Sequence, residues 1–413
     1  MKLLDDLKWR GILNSITNEE KLYLAIEQNK CAYIGFDPSA SSLHLGNYVM
    51  LIMARRLQSY GIKTYAVVGG ATGMIGDPSG KSNERNLLDA ETVNKNKLAI
   101  KKQLEKYASK NILDNLDNFK DMSFLTFLRD VGKMVSINYL LEKEIIKTRL
   151  ETTGLSYTEF SYNLIQSYDF LQFYKNYGVA IQVGGSDQWG NITAGIEMIR
   201  KSLGDDNLAC GLTLNLLTNS EGKKFGKSEK GAIFLDPKLT SPYAMYQFLI
   251  NQSDADVIKL LKFLTLLSHD EINEIEKIQM AEPYKRHAQH ELAKWVMVDV
   301  HGEQVYNRVK EISSILFNGD ITSLSIDELK MAMDNVPSVT INHSEINIVD
   351  FLIENKIADS KRAARELITN NSIMINGIKI NDLEFVVKKS DAYNQEFTIT
   401  KKGKKNYFLT NWN

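Results

Sequence analysis

Along the first 240 positions, short unbroken apolar runs alternate with longer stretches in which apolar residues recur every three or four places. The runs Ala32 to Phe36, Thr64 to Val68 and Ala180 to Val183 predict buried strands, and the stretch Tyr48 to Leu57 predicts a helix. Strand runs separated by helical stretches predict α/β units around a parallel, Rossmann-like sheet suited to nucleotides. From Ser241 to about Gly319 the strand signal fades, while Val257 to Leu267 and Glu291 to Val300 keep helical spacing, so a helical domain is expected there. The next stretch, with Pro337 and many Ser, Thr, Asp and Asn, reads as a linker. Beyond it, helices are expected at Ile348 to Asn355 and Lys361 to Thr369, followed by strands turning at Asn376-Gly377, a hairpin dipeptide. The expected division is therefore 1–240, 241–320, a linker over 321–345, and a small α+β unit over 346–413.

Composition narrows the picture. At 413 residues and 43% apolar, the chain exceeds one ordinary domain and has ample core. No uncharged apolar run reaches 18 residues and the first eight positions include four charged residues, so a soluble, cytoplasmic protein without membrane span or secretory signal is expected. Cys31 and Cys210 are the two cysteines and show no metal-ligand spacing. The net charge of −1 is unevenly spread: residues 351–413 hold 11 Lys and Arg against 7 Asp and Glu, a balance of +4, which leaves −5 for the rest. A basic tail on a near-neutral body suits a polyanion that docks in one place.

Two short motifs carry the chemistry. His44-Leu45-Gly46-Asn47 follows a strand and precedes a helix, and the loop between them holds Asp37, Pro38 and Ser39. A helix N-terminus offers free N–H groups and a positive dipole end to an anion, and an imidazole there can donate to a phosphate oxygen. Lys224-Phe225-Gly226-Lys227-Ser228 places two lysines three residues apart in a loop dense in Gly, Ser, Asn and Lys. Such a cationic loop is suited to closing over a phosphate whose charge grows as pyrophosphate leaves. Each motif alone also fits chance or a solvated loop; in this order and context the pair reads as an ATP site that makes an adenylate.

With YIGFDPSASSLHLGN (33–47), VGGATGMIGDPSGK (68–81), FLRDVGK (127–133), TEFSYNLIQSYDF (158–170), GGSDQWGNITAG (184–195) and KFGKS (224–228), the chain resembles the bacterial tyrosyl-tRNA synthetases, a class I aminoacyl-tRNA synthetase family, along nearly its whole length. The resemblance implies activation of tyrosine by ATP and transfer of the tyrosyl group to tRNA(Tyr), with Mg²⁺ arriving on ATP, no tightly bound cofactor and no resident metal. It implies that Tyr33 and Asp169 bind the phenol hydroxyl, with Asp77, Tyr162, Gln166 and Gln188 around the rest of the amino acid. Tyr162, Gln166 and Asp169 fall at i, i+4 and i+7, one helix face; packing against a partner is the alternative for the first two. Ser39 and His44 are implied on the γ-phosphate side, Ser standing where the better-known relatives have Thr. Asn47 stands where many members have a second His, and its amide is expected to donate near the ribose ring. Lys81, Arg85, Lys224 and Lys227, with Ser228, are the implied clamps on pyrophosphate, a hydrated loop being the alternative for Lys81 and Arg85. Asp37, Gly46, Gly185 and Asp187 complete the implied ATP site, the Gly184-Gly185 pair letting backbone approach the sugar.

For tRNA, Arg200 and Lys201 with Lys143, Lys147 and Arg149 are candidate acceptor-stem contacts, since phosphates need only well-placed positive charge. The C-terminal unit resembles a small RNA-binding module, with Lys361, Arg362 and Arg365 one helical turn apart and Lys401, Lys402, Lys404 and Lys405 as additions. Residues 241–320 are the implied anticodon-arm-binding region, and Phe124 to Tyr139 match the region through which family members form homodimers. Three rivals stay open at this point: a tryptophan enzyme of the same fold, an RNA-binding descendant without catalysis, and a different nucleotidyltransferase.

Overall fold

The computed structural model describes residues 2–79, 87–228, 231–318, 320–334, 336–404 and 406–413, with the side chains of residues 144, 145, 227, 228 and 318 outside that description. The chain falls into two compact units: residues 1–239 with 252–292, and residues 240–251 with 293–413. The division passes through the segment expected to form one helical domain.

The first unit is built on a six-stranded sheet of β1 (Leu13–Ile16), β2 (Cys31–Phe36), β3 (Thr64–Val68), β4 (Ile112–Asp114), β5 (Val179–Gly185) and β6 (Cys210–Leu214), in the order β1-β6-β5-β2-β3-β4. All neighbours are parallel except β1, which lies antiparallel on β6. The three predicted strand runs are β2, β3 and the middle of β5. They are almost wholly buried, which is why they read as unbroken apolar runs. From β2 the chain winds one way to β3 and β4, then returns to β2's other side as β5. The β2/β5 boundary is therefore where the strand order reverses, and crevices beyond the strand ends at such a point are where open α/β sheets hold ligands.

Two helices bring functional residues to that point. Leu45–Ser59 follows β2, and Tyr157–Tyr177 precedes β5, capped by Ser156 and ended by Gly178 in the left-handed region. Arg56, buried on the first of these, donates through Nη2 to the carbonyl of Thr265 at 2.7 Å. Arg10 donates to that of Leu267 at 2.7 Å, and both guanidinium groups pair with buried Asp6, which also meets His269 Nε2 at 2.8 Å. This hub ties Leu45–Ser59 to the segment that follows the lysine motif.

The second unit contains a five-stranded sheet of Ile378–Ile380, Ile373–Ile375, Phe397–Lys402, Asn406–Trp412 and Ser338–Ile341, in that order. The hairpin turn falls at Asn376-Gly377, both with positive φ. The expected linker is instead structured. Ile326–Met333 is a helix whose Ser325 and Glu328 form a reciprocal cap, and Ser338–Ile341 is a sheet strand. Ser325 within the linker stretch and Asp320 just before it are caps that each accept a backbone N–H, and Pro337 sits just before the strand, where its missing donor costs nothing. Leu329 and Met333 join a core with Ile312, Leu316, Phe397 and Ile399.

Candidate active site

A cavity of about 460 Å³ opens at the β2/β5 reversal. Of the residues singled out from sequence it is lined by Tyr33, Asp37, Ser39, His44, Asn47, Asp77, Tyr162, Gln166, Asp169, Gly185, Gln188 and Lys224. Lys81 and Arg85 lie outside the described residues, and Lys227 and Ser228 are described as a strand without their side chains. Asp187 borders a neighbouring cavity instead.

The inner end is polar and almost sealed. Asp169, 3% exposed, accepts from Asn115 Nδ2 at 2.8 Å on one carboxylate oxygen and from Asn118 Nδ2 at 2.7 Å on the other. Burial pushes its carboxyl well above the ordinary range, against the pull of the Asn118 and Asn115 amides, which favour the charged form. Tyr33, equally buried, packs its ring against Phe170 and Phe173 with centroids 5.5 Å away, and its hydroxyl has no hydrogen-bond partner. Burial, reinforced by the charge of Asp169, pushes this phenol well above its ordinary value. Gln166 Oε1 and Gln182 Oε1 are likewise buried without partners. Three such atoms in the lining of one cavity mark a place where a polar ligand supplies the missing bonds.

Midway, the carboxylates are held by neighbours. Asp37 accepts from Thr72 Oγ1 at 2.7 Å and from the Tyr162 hydroxyl at 3.0 Å. Asp77 accepts from the Ser79 N–H at 2.9 Å and from Gln188 Nε2 at 2.6 Å. Gln188 in turn accepts from Asn191 Nδ2 at 3.1 Å. The residues missing from the sequence reading are these supports: Asn115, Asn118, Thr72, Gln182 and Asn191. They come from separate segments and repeat no period, so the only cue to them was a polar residue inside an otherwise apolar run, as at Gln182 in β5.

At the mouth the two motifs, 180 positions apart in sequence, are physically joined. His44 caps the helix Leu45–Ser59: its Nδ1 accepts from the Asn47 N–H at 3.3 Å, and Asn47 Oδ1 accepts from the His44 N–H at 3.1 Å. The first bond leaves the proton of a neutral ring on Nε2, the nitrogen able to donate onward. Asn47 thus spends its carbonyl on the cap and keeps its amide hydrogens. Leu45 donates its N–H to the Ile233 carbonyl at 2.8 Å, and Ile233 donates to that of Gly226 at 2.9 Å. Gly226 has φ +85°, and a Cβ there would lie 2.6 Å from the Gly46 nitrogen, so the lysine motif's glycine is required by its contact with the helix start. The Gly184-Gly185 pair has a similar reason. A Cβ on Gly185 would lie 2.7 Å from Asp187 Oδ1, and one on Gly184 would lie 2.9 Å from Gln188 Cβ, so close approach to their own turn is what these glycines serve here.

The nucleic-acid candidates sort differently. Arg149 is buried and paired with Glu159 at 2.6 Å, which removes it from the acceptor-stem set. Arg200 pairs with Glu197 and Asp205, Lys201 donates to the Met134 carbonyl, and Lys143 donates to Tyr139 and Thr193 hydroxyls. On the C-terminal unit Lys361, Arg362 and Arg365 are exposed, Lys361 meeting Asp350 at 2.6 Å. Lys401 caps the carbonyl end of the helix Glu303–Asn318 through Leu316 and Phe317, and Lys402 donates to the Ile357 carbonyl, so both serve the fold. Lys405 lies outside the described residues.

A parallel sheet with a cavity at its reversal point, and a capped helix N-terminus at the mouth, defines an α/β nucleotide-binding protein. The family described as tRNA synthetases class I (W and Y) matches residues 27–318, and the tyrosine–tRNA ligase SYY-like C-terminal domain matches residues 328–410. The chain belongs to this class I tRNA synthetase family. It is 60% identical over 411 residues to the tyrosine–tRNA ligase of Ureaplasma urealyticum serovar 10, covering 100% of this chain and 99% of that protein. To tyrosine–tRNA ligase 1 of Bacillus cereus it is 46% identical over 417 residues, with 99% of each covered. A C-terminally truncated mitochondrial tyrosyl-tRNA synthetase of Aspergillus nidulans superposes with TM-score 0.67 at 29% identity, covering 76% of this chain and 94% of that one. A tryptophanyl-tRNA synthetase of Encephalitozoon cuniculi, at 15% identity and TM-score 0.54, shares the fold. Among the described residues, no helix is long and apolar enough to cross a membrane.

Proposed function

We propose that this protein is a tyrosine–tRNA ligase: it joins tyrosine to AMP with release of pyrophosphate, then passes the tyrosyl group to tRNA(Tyr). The observation that carries the reading is the sealed end of the cavity, where the unpartnered Tyr33 hydroxyl and the Asn-held Asp169 await a group that both donates and accepts. A phenol does both; phenylalanine would leave these buried groups unsatisfied, and a buried unmet polar group is costly. The unpartnered Gln166 Oε1, with Asp77 and Tyr162, suits the ammonium group, and Gln188 suits the carboxyl end. In activation the tyrosine carboxylate attacks the α-phosphorus of ATP. It is already ionised, so no covalent nucleophile is needed and catalysis is positioning plus charge stabilisation. His44 Nε2, Ser39 and the Leu45–Ser59 helix start, close to Gly46, take the phosphates. Lys224 and Lys227, with Ser228, Lys81 and Arg85, neutralise departing pyrophosphate. The Asn47 amide, Asp37, Gly185 and Asp187 face the nucleoside. Mg²⁺ enters as the ATP complex.

The same reading takes the protein to be a cytoplasmic homodimer, joined through the region of Phe124 to Tyr139, where Phe124, Leu125 and Ile137 are exposed. Lys143, Arg200 and Lys201 meet the acceptor stem, residues 241–320 the anticodon arm, and Lys361, Arg362 and Arg365 a folded part of the RNA. The test is ATP–pyrophosphate exchange with the twenty amino acids added singly. Exchange driven by tyrosine alone is expected; exchange with another amino acid keeps the chemistry and overturns the specificity, and none at all overturns the enzyme.

A further inference from the structure

The hairpin that carries Lys224 is held by side chains as well as by backbone. Leu217 to Phe225 is closed by the Phe225 N–H on the Leu217 carbonyl at 2.9 Å, by a bridge between Thr218 and Lys224, and by Asn219, which accepts from the Gly222 N–H at its carbonyl and from the Lys223 N–H at Oδ1. So closed, it shifts as one piece. Its outgoing limb rests on the helix Asp254–Leu264: Lys259 Nζ donates to the Thr218 carbonyl at 2.9 Å, and the Ser220 hydroxyl donates to Asp256 Oδ2 at 3.1 Å. Asp256 is 7% exposed, and the Ser253 hydroxyl donates to the same oxygen at 2.7 Å, which fixes that acceptor in the helix's first turn. On the returning limb, Lys224 lines the main cavity.

The helix is itself fixed at both ends. Asp254 Oδ1 accepts from Gln289 Nε2 at 2.6 Å and from Gln279 Nε2 at 3.0 Å. At the far end Arg56, on the helix that His44 caps, donates to the carbonyls of Thr265 at 2.7 Å and Lys262 at 3.4 Å. One strut therefore carries the lysine hairpin at its start and is clamped to the histidine helix at its finish.

We infer that Ser220, Asp256 and Lys259 are positioning residues, which latch the hairpin to this strut and so aim Lys224 at the phosphates. The inference rests on the role given to Lys224 above and adds what sets its place. Hydrogen bonds to a carboxylate are about twice as strong as those between neutral groups. A catalytic group misplaced by about 1 Å can cost about 100-fold in rate, so a modest bond far from the reacting atoms can matter. The latch fixes backbone only, and the Lys224 ammonium stays free to follow the developing charge.

The experiment measures single-turnover formation of tyrosyl-adenylate by the full-length protein and by Ser220→Ala, Ser220→Thr and Lys259→Met, each alone and combined with Lys224→Ala. Ser220 and Lys259 are exposed, so these substitutions spare the core. Ser220→Ala is expected to slow the step about fivefold, the scale of one hydrogen bond, with tyrosine affinity unchanged. Lys259→Met slows it similarly, and Ser220→Thr, which keeps the hydroxyl, restores most of the rate. With Lys224→Ala already present, Ser220→Ala costs less than about twofold more, because the latch acts through that lysine. Full rate in Ser220→Ala, or a loss that persists undiminished beside Lys224→Ala, overturns the inference. Failure of the unaltered protein to form adenylate from tyrosine would instead strike the functional reading.

Discussion

The two ends of the main cavity are built on opposite principles. At the inner end Asp169 and Tyr33 are buried and fixed by neighbours, Asp169 by two amides and Tyr33 by two aromatic rings. At the mouth, Ser39 and Lys224 are exposed, and the lysine motif reaches the helix start through backbone bonds of Leu45, Ile233 and Gly226. Selecting a substrate calls for groups that cannot rearrange to suit the wrong one; following a charge that grows during reaction calls for groups that can approach. Inner-end substitutions should therefore change which amino acid binds and how tightly, and mouth substitutions should change how fast a bound pair reacts.

The largest effect is expected from Asp169→Ala, which should weaken tyrosine binding about 100-fold with ATP binding unchanged, as measured by calorimetry, since it removes a hydrogen-bonding partner and orphans two Asn amides. Unchanged tyrosine affinity would break the comparison at its inner end. Lys224→Ala should slow adenylate formation by tens-fold with little change in the KM for ATP; a large KM rise at constant kcat would mean the mouth binds ground states as the inner end does. Replacing Lys361, Arg362 and Arg365 together by Ala should raise the KM for tRNA about tenfold and leave exchange untouched, a loss that grows with salt. This variant is better than cutting the chain at residue 346, which would strip the strand Ser338–Ile341 of its partner and remove Phe397 and Ile399 from their core.

The smallest effect concerns stability. Because burial raises the Asp169 carboxyl above its unfolded value of 3.8, the folded state holds this proton more tightly. Its contribution is intact below that pH and declines as pH rises through the folded value. Asp169→Asn should melt close to the unaltered protein near pH 4 and progressively above it as pH rises, while losing tyrosine affinity. A gap that closes with rising pH would show that the two amides outweigh burial.

Much of this was legible in sequence where the signal is local. The runs of β2 and β3 and the helix Lys361–Thr369 fall within a residue of expectation, because unbroken or periodic apolar spacing reports burial directly. The Asn376-Gly377 turn was read from its backbone requirement. Asn115 and Asn118 were not legible, since nothing in a short polar stretch says that it faces a carboxylate 51 or 54 positions later. Residues 321–345 were misread because cap residues and linker residues are the same amino acids. Arg149 was misread because charge in sequence carries no depth; its buried partner Glu159 lies ten positions on.

The joining of Leu45 to Ile233, and of Gly226 to Gly46, has a consequence for biosynthesis. The chain emerges from its N-terminus, so the helix start is made long before the backbone that packs against it, and β1 likewise waits for β6. Contacts this distant in sequence are the slow ones in folding. No N-terminal fragment that stops short of residue 233 can assemble the phosphate end, so ATP chemistry switches on only after more than half the polypeptide has been made.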